Sequence, residues 1–469
     1  MPSNNECLYI RDPVFFGKNT IYTGVYTRIR TDAATAEALG AVRRCEMSVD
    51  GYLRVLGEAA QQPISKRWLH DSGSLVGRIP LEIRPEYDVI VVEQGYGGVY
   101  VHTVELIKQL QRKYSVLLLS PVPPLFSQQV DADVVSLDSI RKRDPGADYG
   151  TYVQCLRSVI ANTKAKLLLI AHRSQSVYLF DVMLRHRTIV YCDGWYDGHF
   201  RLAEDIELHK TEIRRDWLLD ELFYQIAVSP HDFLGITSGP ATNLGLLEAG
   251  YRALRAASEN WCWGKHQLTR FSELFPSIRD SLRLVLPFTS PAIFDHAQVD
   301  RSPRLFFTTT MHNIAKKGYP ELVTFLDKNP TLRATCIVRQ PERLPSTPPY
   351  ILERIEVKSV TKAEMIHEYH RAWLNWRVSR EESSPLSVLE SMICEVPQIV
   401  SPVVAEQIPL LEDGATGFIV DPDDGETLNA RVNELLRDKS LRDRMGAECR
   451  SRASELAYDK RRDLIERWL

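Results

Sequence analysis

Glu382 and Glu390 are two carboxylates that bracket a stretch whose residue types combine for chemistry, Arg380 to Pro397. Between them Ser384-Pro385 reads as a helix start, a hydroxyl N-cap followed by proline at the first helical position. Leu386, Leu389 and Ile393 recur at helical spacing, so one face of that helix is buried. The N–H groups around Leu386, Ser387 and Val388 then lack partners within the helix. With the helix dipole they make a place for an anion such as a phosphate. Ser387 and Glu390 are three apart and share a face. Two carboxylates repel a bare diphosphate but accept hydrogen bonds from hydroxyls on either side of one. Hydroxyls, a diphosphate and further hydroxyls describe a nucleotide-sugar. The plain alternative is an amphipathic helix with charged flanks.

The chain continues Val396-Pro-Gln-Ile-Val-Ser401 and Leu411-Glu-Asp-Gly-Ala-Thr-Gly-Phe-Ile-Val-Asp-Pro422. Together with Glu382-x7-Glu390 this resembles the donor site of retaining GT-B glycosyltransferases, glycosyltransferase family four in particular. The resemblance runs from about Val89 to the C-terminus and is strongest after Arg304. It implies that Glu382 holds the transferred sugar and Glu390 the ribose. It also implies that Ser387 and Val388 lie at the donor, that configuration is retained and that no metal is required. Two departures stand out. Glu395 occupies a position where the family has Gly, and Met311-His312 stands where it has Gly-Arg. Lys317-Gly318 matches the family's second cationic pair, which contacts the diphosphate. His312 would supply charge there only when protonated; Arg339 or Arg380 are the other cations for that task.

Composition sets the class. The chain has 469 residues, 44% apolar and 25% charged, which suits two or three soluble globular domains. A formal charge of −3 argues against a nucleic-acid partner that needs a basic field. The eight cysteines (7, 45, 155, 192, 262, 336, 394, 449) show no C-x-x-C spacing, so neither a zinc site nor a disulfide framework is suggested. A reducing cytoplasm fits. No apolar run approaches the roughly 20 residues that span a bilayer; peripheral contact with a membrane stays open.

The elements that must position the site follow a βα pattern. Residues 1–85 carry no motif and form an N-terminal extension, with Thr20–Ile29 reading as strand and Ala33–Ala41 as helix. The extension suits oligomerisation, acceptor binding or capping. Residues 86–290 read as a first Rossmann-like domain on the acceptor side. Strand Asp88–Glu93 leads through the glycine turn Gly95–Gly98 into a helix over Tyr100–Lys113. Gly97 and Gly98 let the backbone approach a ligand, and the resemblance sets this loop across the cleft from the donor. Strands Ser115–Leu119, Lys166–Ala171 and Thr188–Tyr191 follow, with a helix over Val177–Arg185. Residues at the C-terminal ends of parallel strands face a ligand cleft. That makes His172 a candidate, which the resemblance sets beside the transferred sugar, or a loop histidine. Asp193, Trp195 and Tyr196 suit sugar rings and hydroxyls of an acceptor, or a packed loop.

Residues 291–455 read as a second Rossmann-like domain on the donor side. Its strands are Arg304–Thr308, Thr335–Gln340, Ile355–Val360 and Trp373–Ser379, with helices over Tyr319–Asn329, Lys362–Tyr369, Glu426–Leu436 and Leu441–Leu456. The resemblance implies that residues 456–469 form a helix crossing back to the first domain. The expectation is an α/β GT-B protein. It moves a hexose-type sugar from a nucleotide-diphosphate donor to a hydroxyl acceptor, a glycan or a lipid-linked group, with Glu382, His172 and Lys317 at the reacting centre. No cofactor is implied beyond that donor. The rivals are a catalytically silent GT-B subunit and a sugar phosphorylase or epimerase on the same fold.

Overall fold

The computed structural model describes residues 7–10, 14–16, 19–21, 27–30, 83–93, 97–121, 130–147, 149–171, 176, 179, 182–192, 250–289, 294, 299–309, 314–338, 344–380, 382 and 385–469. Near the N-terminus β1 (Cys7–Ile10) pairs antiparallel with β4 (Thr27–Arg30), and β2 (Val14–Phe16) with β3 (Asn19–Ile21). The single strand expected over Thr20–Ile29 is therefore two strands, β3 and β4, in two ladders. The helix expected over Ala33–Ala41 lies outside the described residues.

The first large sheet is wholly parallel. In chain order its strands are β5 (Glu86–Val92), β6 (Val116–Leu119), β7 (Asp133–Val135), β8 (Lys164–Ile170), β9 (Thr188–Tyr191), β10 (Glu259–Cys262) and β11 (Leu282–Leu284). Their spatial order is β11-β10-β9-β8-β5-β6-β7. Val89–Val92, Leu117–Leu119 and Leu167–Ile170 are fully buried. Helices cover both faces of such a sheet, so its strands read as unbroken apolar runs. Helix α1 (Gly97–Leu110) follows β5, α2 (Leu137–Arg141) follows β7, α3 (Tyr149–Asn162) precedes β8, and α4 (Lys265–Leu274) follows β10. Of the helix expected over Val177–Arg185, the described residues show a 3-10 turn at Met183–Arg185.

The second sheet is also parallel, with strands β12 (Arg304–Thr309), β13 (Arg333–Val338), β14 (Ile355–Lys358), β15 (Leu374–Arg377), β16 (Gln398–Val400) and β17 (Gly417–Ile419). The order β14-β13-β12-β15-β16-β17 is the Rossmann order, reversing direction between β12 and β15. Its helices are α5 (Tyr319–Lys328), α6 (Pro349–Leu352), α7 (Lys362–Arg371), α8 (Leu386–Ile393), α9 (Pro402–Gln407), α10 (Gly425–Arg437) and α11 (Lys439–Ser454). Phe307, Leu322, Leu326, Trp376 and Ile399 lie in the core on one side of this sheet, and Phe306, Leu389, Met392 and Val404 on the other.

The chain then returns. Thr289, just past β11, donates its N–H to the Leu456 carbonyl at 3.0 Å. Two short helices, α12 (Tyr458–Arg461) and α13 (Asp463–Glu466), pack on the first sheet's core, with Ile465 fully buried there. Arg467 Nη2 holds both oxygens of Glu259 on β10 at 2.7 Å, and Arg461 Nη1 donates to the Leu286 carbonyl at 2.9 Å. The side chains of Cys155, Cys192, Cys262, Cys336, Cys394 and Cys449 are buried. Among the described residues no helix is long and apolar enough to cross a membrane.

Candidate active site

In an open α/β sheet the loops after the two strands flanking the reversal diverge and leave a crevice. In the second domain those loops follow β12 and β15, and they carry Lys317 and Glu382. Gly318 joins them. Its φ of 90° is left-handed, and a Cβ there would stand 2.5 Å from the Val378 carbonyl, so glycine alone fits. Trp376 Nε1 donates to the Gly318 carbonyl at 2.9 Å, and the Arg380 N–H donates to the Lys316 carbonyl at 2.7 Å. Lys317 is thereby set against the loop that follows β15.

Glu382 is 8% exposed and sits at the meeting point. One of its oxygens, Oε1, accepts from Lys317 Nζ at 2.9 Å, from Arg377 Nη2 at 2.7 Å and Nε at 2.9 Å, and from Ser379 Oγ at 3.3 Å. Arg377 also donates through Nη1 to the Thr308 carbonyl, tying the end of β12 to the same point. Burial alone would push the Glu382 carboxyl up. Arg377 and Lys317 outweigh it and hold the carboxyl below its ordinary value. Two cations thus converge on one buried carboxylate oxygen at the crevice.

Helix α8 begins at Leu386, one residue later than Ser384-Pro385 suggests. Pro385 occupies the cap position with φ −78° and ψ 80° and makes no side-chain cap bond; Ser384 lies outside the described residues. Val388, expected among the open amides, donates its N–H to the Pro385 carbonyl at 2.8 Å, and its side chain is fully buried in the core. Val388 therefore serves packing. Ser387 is half-buried on the exposed side of the same turn. Leu386 packs against the cores of both domains.

Glu390, one turn further on, is 6% exposed. Tyr369 Oη donates to its Oε2 at 2.9 Å, and burial with the nearby carboxylate pushes the Tyr369 hydroxyl well above its ordinary range. The other oxygen, Oε1, faces His102 Nε2 of α1 in the first domain at 3.6 Å. At the far end of α8, Glu395 has φ 60°. The Val396 N–H bonds the Ser391 carbonyl and the Glu395 N–H the Met392 carbonyl, both at 3.1 Å. That pair of bonds is the Schellman helix end, whose left-handed residue is usually glycine. The departure at 395 therefore changes the side chain and keeps the backbone.

Sequence reasoning singled out Glu382, Lys317, Ser387 and Glu390, and the structure brings Glu382 and Lys317 into contact. Gly97 and Gly98 open α1 after β5. His172, Asp193, Trp195, Tyr196, His312 and Arg339 lie outside the described residues. Arg380 is engaged on the surface by Glu321 at 2.9 Å and Asp423 at 2.7 Å. Sequence reasoning missed Arg377, Tyr369 and His102. For Arg377 a signal was present: a charged residue inside the apolar strand Trp373–Val378. His102 falls on the buried face of α1 with Val99 and Leu106, where it reads as core.

Two comparisons bear on this arrangement. Residues 354–452 match the family model Glycosyl transferases group 1, so the second domain carries a group 1 region. Solved GT-B glycosyltransferases share the whole two-domain fold. Anabaena HepE in complex with UDP and glucose aligns with a TM-score of 0.57 at 12% identity, covering 81% of this chain and 99% of that one. Sucrose-phosphate synthase from Thermosynechococcus elongatus gives 0.57 at 12%, covering 82% and 98%. A glycosyltransferase from Rickettsia africae gives 0.57 at 13%, also covering 82% and 98%. The chain is an α/β protein of the GT-B fold. No curated protein sequence matches it.

Proposed function

We propose that this chain is a retaining, metal-independent glycosyltransferase that moves a sugar from a nucleotide-diphosphate donor to a hydroxyl acceptor. The observation that carries the proposal is the buried Lys317–Glu382–Arg377 cluster at the strand-order reversal, with Glu390 one helix turn into α8. A departing nucleoside diphosphate develops negative charge that fixed dipoles and cations must hold. Lys317 and the N-terminus of α8 supply that field. Arg377 and Lys317 keep Glu382 ionised, so Glu382 accepts hydrogen bonds from sugar hydroxyls. Glu390 does the same for the ribose. The match of residues 354–452 to a glycosyltransferase family supports this reading. The HepE structures are solved with UDP, with UDP and glucose and with UDP-glucose, which makes UDP-glucose the first donor to try.

The test is calorimetric titration with UDP-, GDP-, ADP- and CMP-sugars, followed by an NMR time course with acceptor. Binding of one donor, nucleotide release only with acceptor present and retained anomeric configuration are expected. No binding of any nucleotide-sugar would point to a silent GT-B subunit; an inverted product would overturn the retaining mechanism.

A further inference from the structure

The strands of the first sheet all run the same way, so its two ends differ. Their C-terminal ends open on the cleft. At the N-terminal ends of β8 and β9 lies a hollow of about 380 Å³. Three segments distant in sequence wall it: residues 165–166 at the start of β8, residues 185–187 before β9 and residues 467–469 after α13. Lys166, Arg185, Arg187 and Arg467 line it, and no acidic side chain does, in a chain whose formal charge is −3. Lys166 Nζ pairs with Asp88 at 2.8 Å and Arg467 with Glu259 at 2.7 Å, both acids lying outside the wall. Arg185 Nη1 donates to the Ala161 carbonyl at 3.1 Å, and His186 Nε2 lies 2.8 Å from the Ile160 carbonyl. These two close the C-terminal end of α3, where the helix dipole favours cations. A carbonyl satisfies one N–H of Arg185 and leaves its charge without a carboxylate among the described residues. Arg187 is exposed, and its guanidinium meets no partner among the described residues.

We propose that this hollow is a ligand site away from the donor crevice and takes a phosphate monoester. Arg185 and Arg187 hold the phosphate, and Trp468 and Leu469 give an apolar wall to the carbon body that carries it. Planar guanidinium forks match phosphate oxygens two at a time, and two of them offset a dianion. The volume is at the small end for a ligand site, which suits a phosphate on a short carbon body rather than a nucleotide-sugar. One wall belongs to the segment that returns from the second domain, so an occupied site pins that segment to the ends of β8 and β9. Leu184, 74% exposed beside Arg185, adds an apolar point at the rim. The same chemistry therefore fits a soluble glycerol phosphate or the headgroup of phosphatidic acid.

The test has two arms. The first is calorimetric titration of the full chain with inorganic phosphate and with glycerol 3-phosphate. The second is co-sedimentation with phosphatidylcholine vesicles, with and without phosphatidic acid. Arg185→Ala and Arg187→Ala should each weaken binding roughly tenfold, and added salt should weaken it in the wild type. Lys317→Ala, in the donor crevice, and Arg437→Ala, an exposed cation on α10, should leave it unchanged. The exposed Arg187 side chain makes no contact that folding needs, so the thermal melt of Arg187→Ala should match the wild type. Vesicle binding that depends on both arginines and is lost in Leu184→Asp would assign the phosphate to a lipid, and binding in the first arm alone to a soluble ester. Unchanged binding in Arg187→Ala, an equal loss in Arg437→Ala, a loss confined to Lys317→Ala or no binding in either arm would overturn the site.

Discussion

Gly446 of α11 lies against the main chain of Glu395 so closely that a Cβ at 446 would stand 2.3 Å from the Glu395 carbonyl oxygen. That carbonyl is also the target of Arg301 Nη1 at 2.9 Å, while Nη2 donates to the Cys394 carbonyl at 3.0 Å and Arg450 Nη1 to the Ile393 carbonyl at 3.2 Å. Two cations thus satisfy the last carbonyls of α8, where the helix dipole favours them. The left-handed turn at 395 is over-determined by its surroundings, and it tolerates a residue with a Cβ.

Glu395→Gly should therefore stabilise the protein by about 1 kcal/mol, the usual cost of holding an L-residue left-handed. The side-chain ion pairs it loses, at 3.9 Å to Arg301 and 3.8 Å to Arg450, are half-exposed and contribute little. Gly446→Ala should cost roughly 1–3 kcal/mol by overpacking. Thermal melts of both variants check the pair; an unchanged melting temperature for Gly446→Ala would mean that α11 shifts freely.

Lys317 and Arg377 both hold Glu382, yet their removal should read out differently. Lys317→Ala should lower kcat by roughly 10²–10³, the loss seen when a donor to a developing negative charge is removed, with a small change in melting temperature. Arg377→Met leaves the buried Thr308 carbonyl without this donor and should cost roughly 3–5 kcal/mol of stability as well. Steady-state kinetics beside thermal melts separate the two; equal loss of stability would contradict the division of labour.

The depressed Glu382 carboxyl carries a pH signature. Its folded value lies below the ordinary 4.5, so the stability it contributes is present above pH 4.5 and is lost as pH falls through the folded value. Melting temperature against pH should fall less steeply below pH 4.5 in Glu382→Gln than in the wild type. Parallel curves would mean that the charge pairing adds nothing to folding.

Tyr369→Phe removes the hydroxyl from Glu390 Oε2 and leaves the Phe306–Tyr369 ring contact, 4.6 Å between centres, in place. A buried carboxylate oxygen stripped of its donor costs about 1–3 kcal/mol. The expected result is a donor KM raised roughly 5- to 100-fold with kcat nearly unchanged. A fall in kcat at constant KM would place Glu390 nearer the reacting centre than the ribose.

Local pattern made much of the fold readable. Thr188–Tyr191 is a run of apolar and β-branched residues flanked by polar ones, and it is a strand over those four residues. Strand β10 was not readable, because Glu259 and Asn260 look like loop residues. They are buried among partners that include Arg467, 208 residues away, for Glu259, and the Leu254 carbonyl and Ser281 hydroxyl for Asn260. The site divides the same way. Glu382 and Glu390 are visible through their spacing about a helix start. Arg377 owes its buried charge to partners on β12 and in the loop before α8, and His102 meets Glu390 from another domain. Neither relation exists in the local sequence.

The crossing of the chain between its two halves has a mechanical consequence. It crosses once after β11 and again after α11, and the two crossings run side by side, joined by the Thr289–Leu456 hydrogen bond and a parallel bridge from Thr289 to Ala457. One tether would let the halves swivel about any axis. A paired tether behaves like a door hung on two pins: twisting is suppressed, and opening is confined to rotation about the line through the pair. A proteolytic nick in either crossing would abolish that guidance and still leave the halves attached.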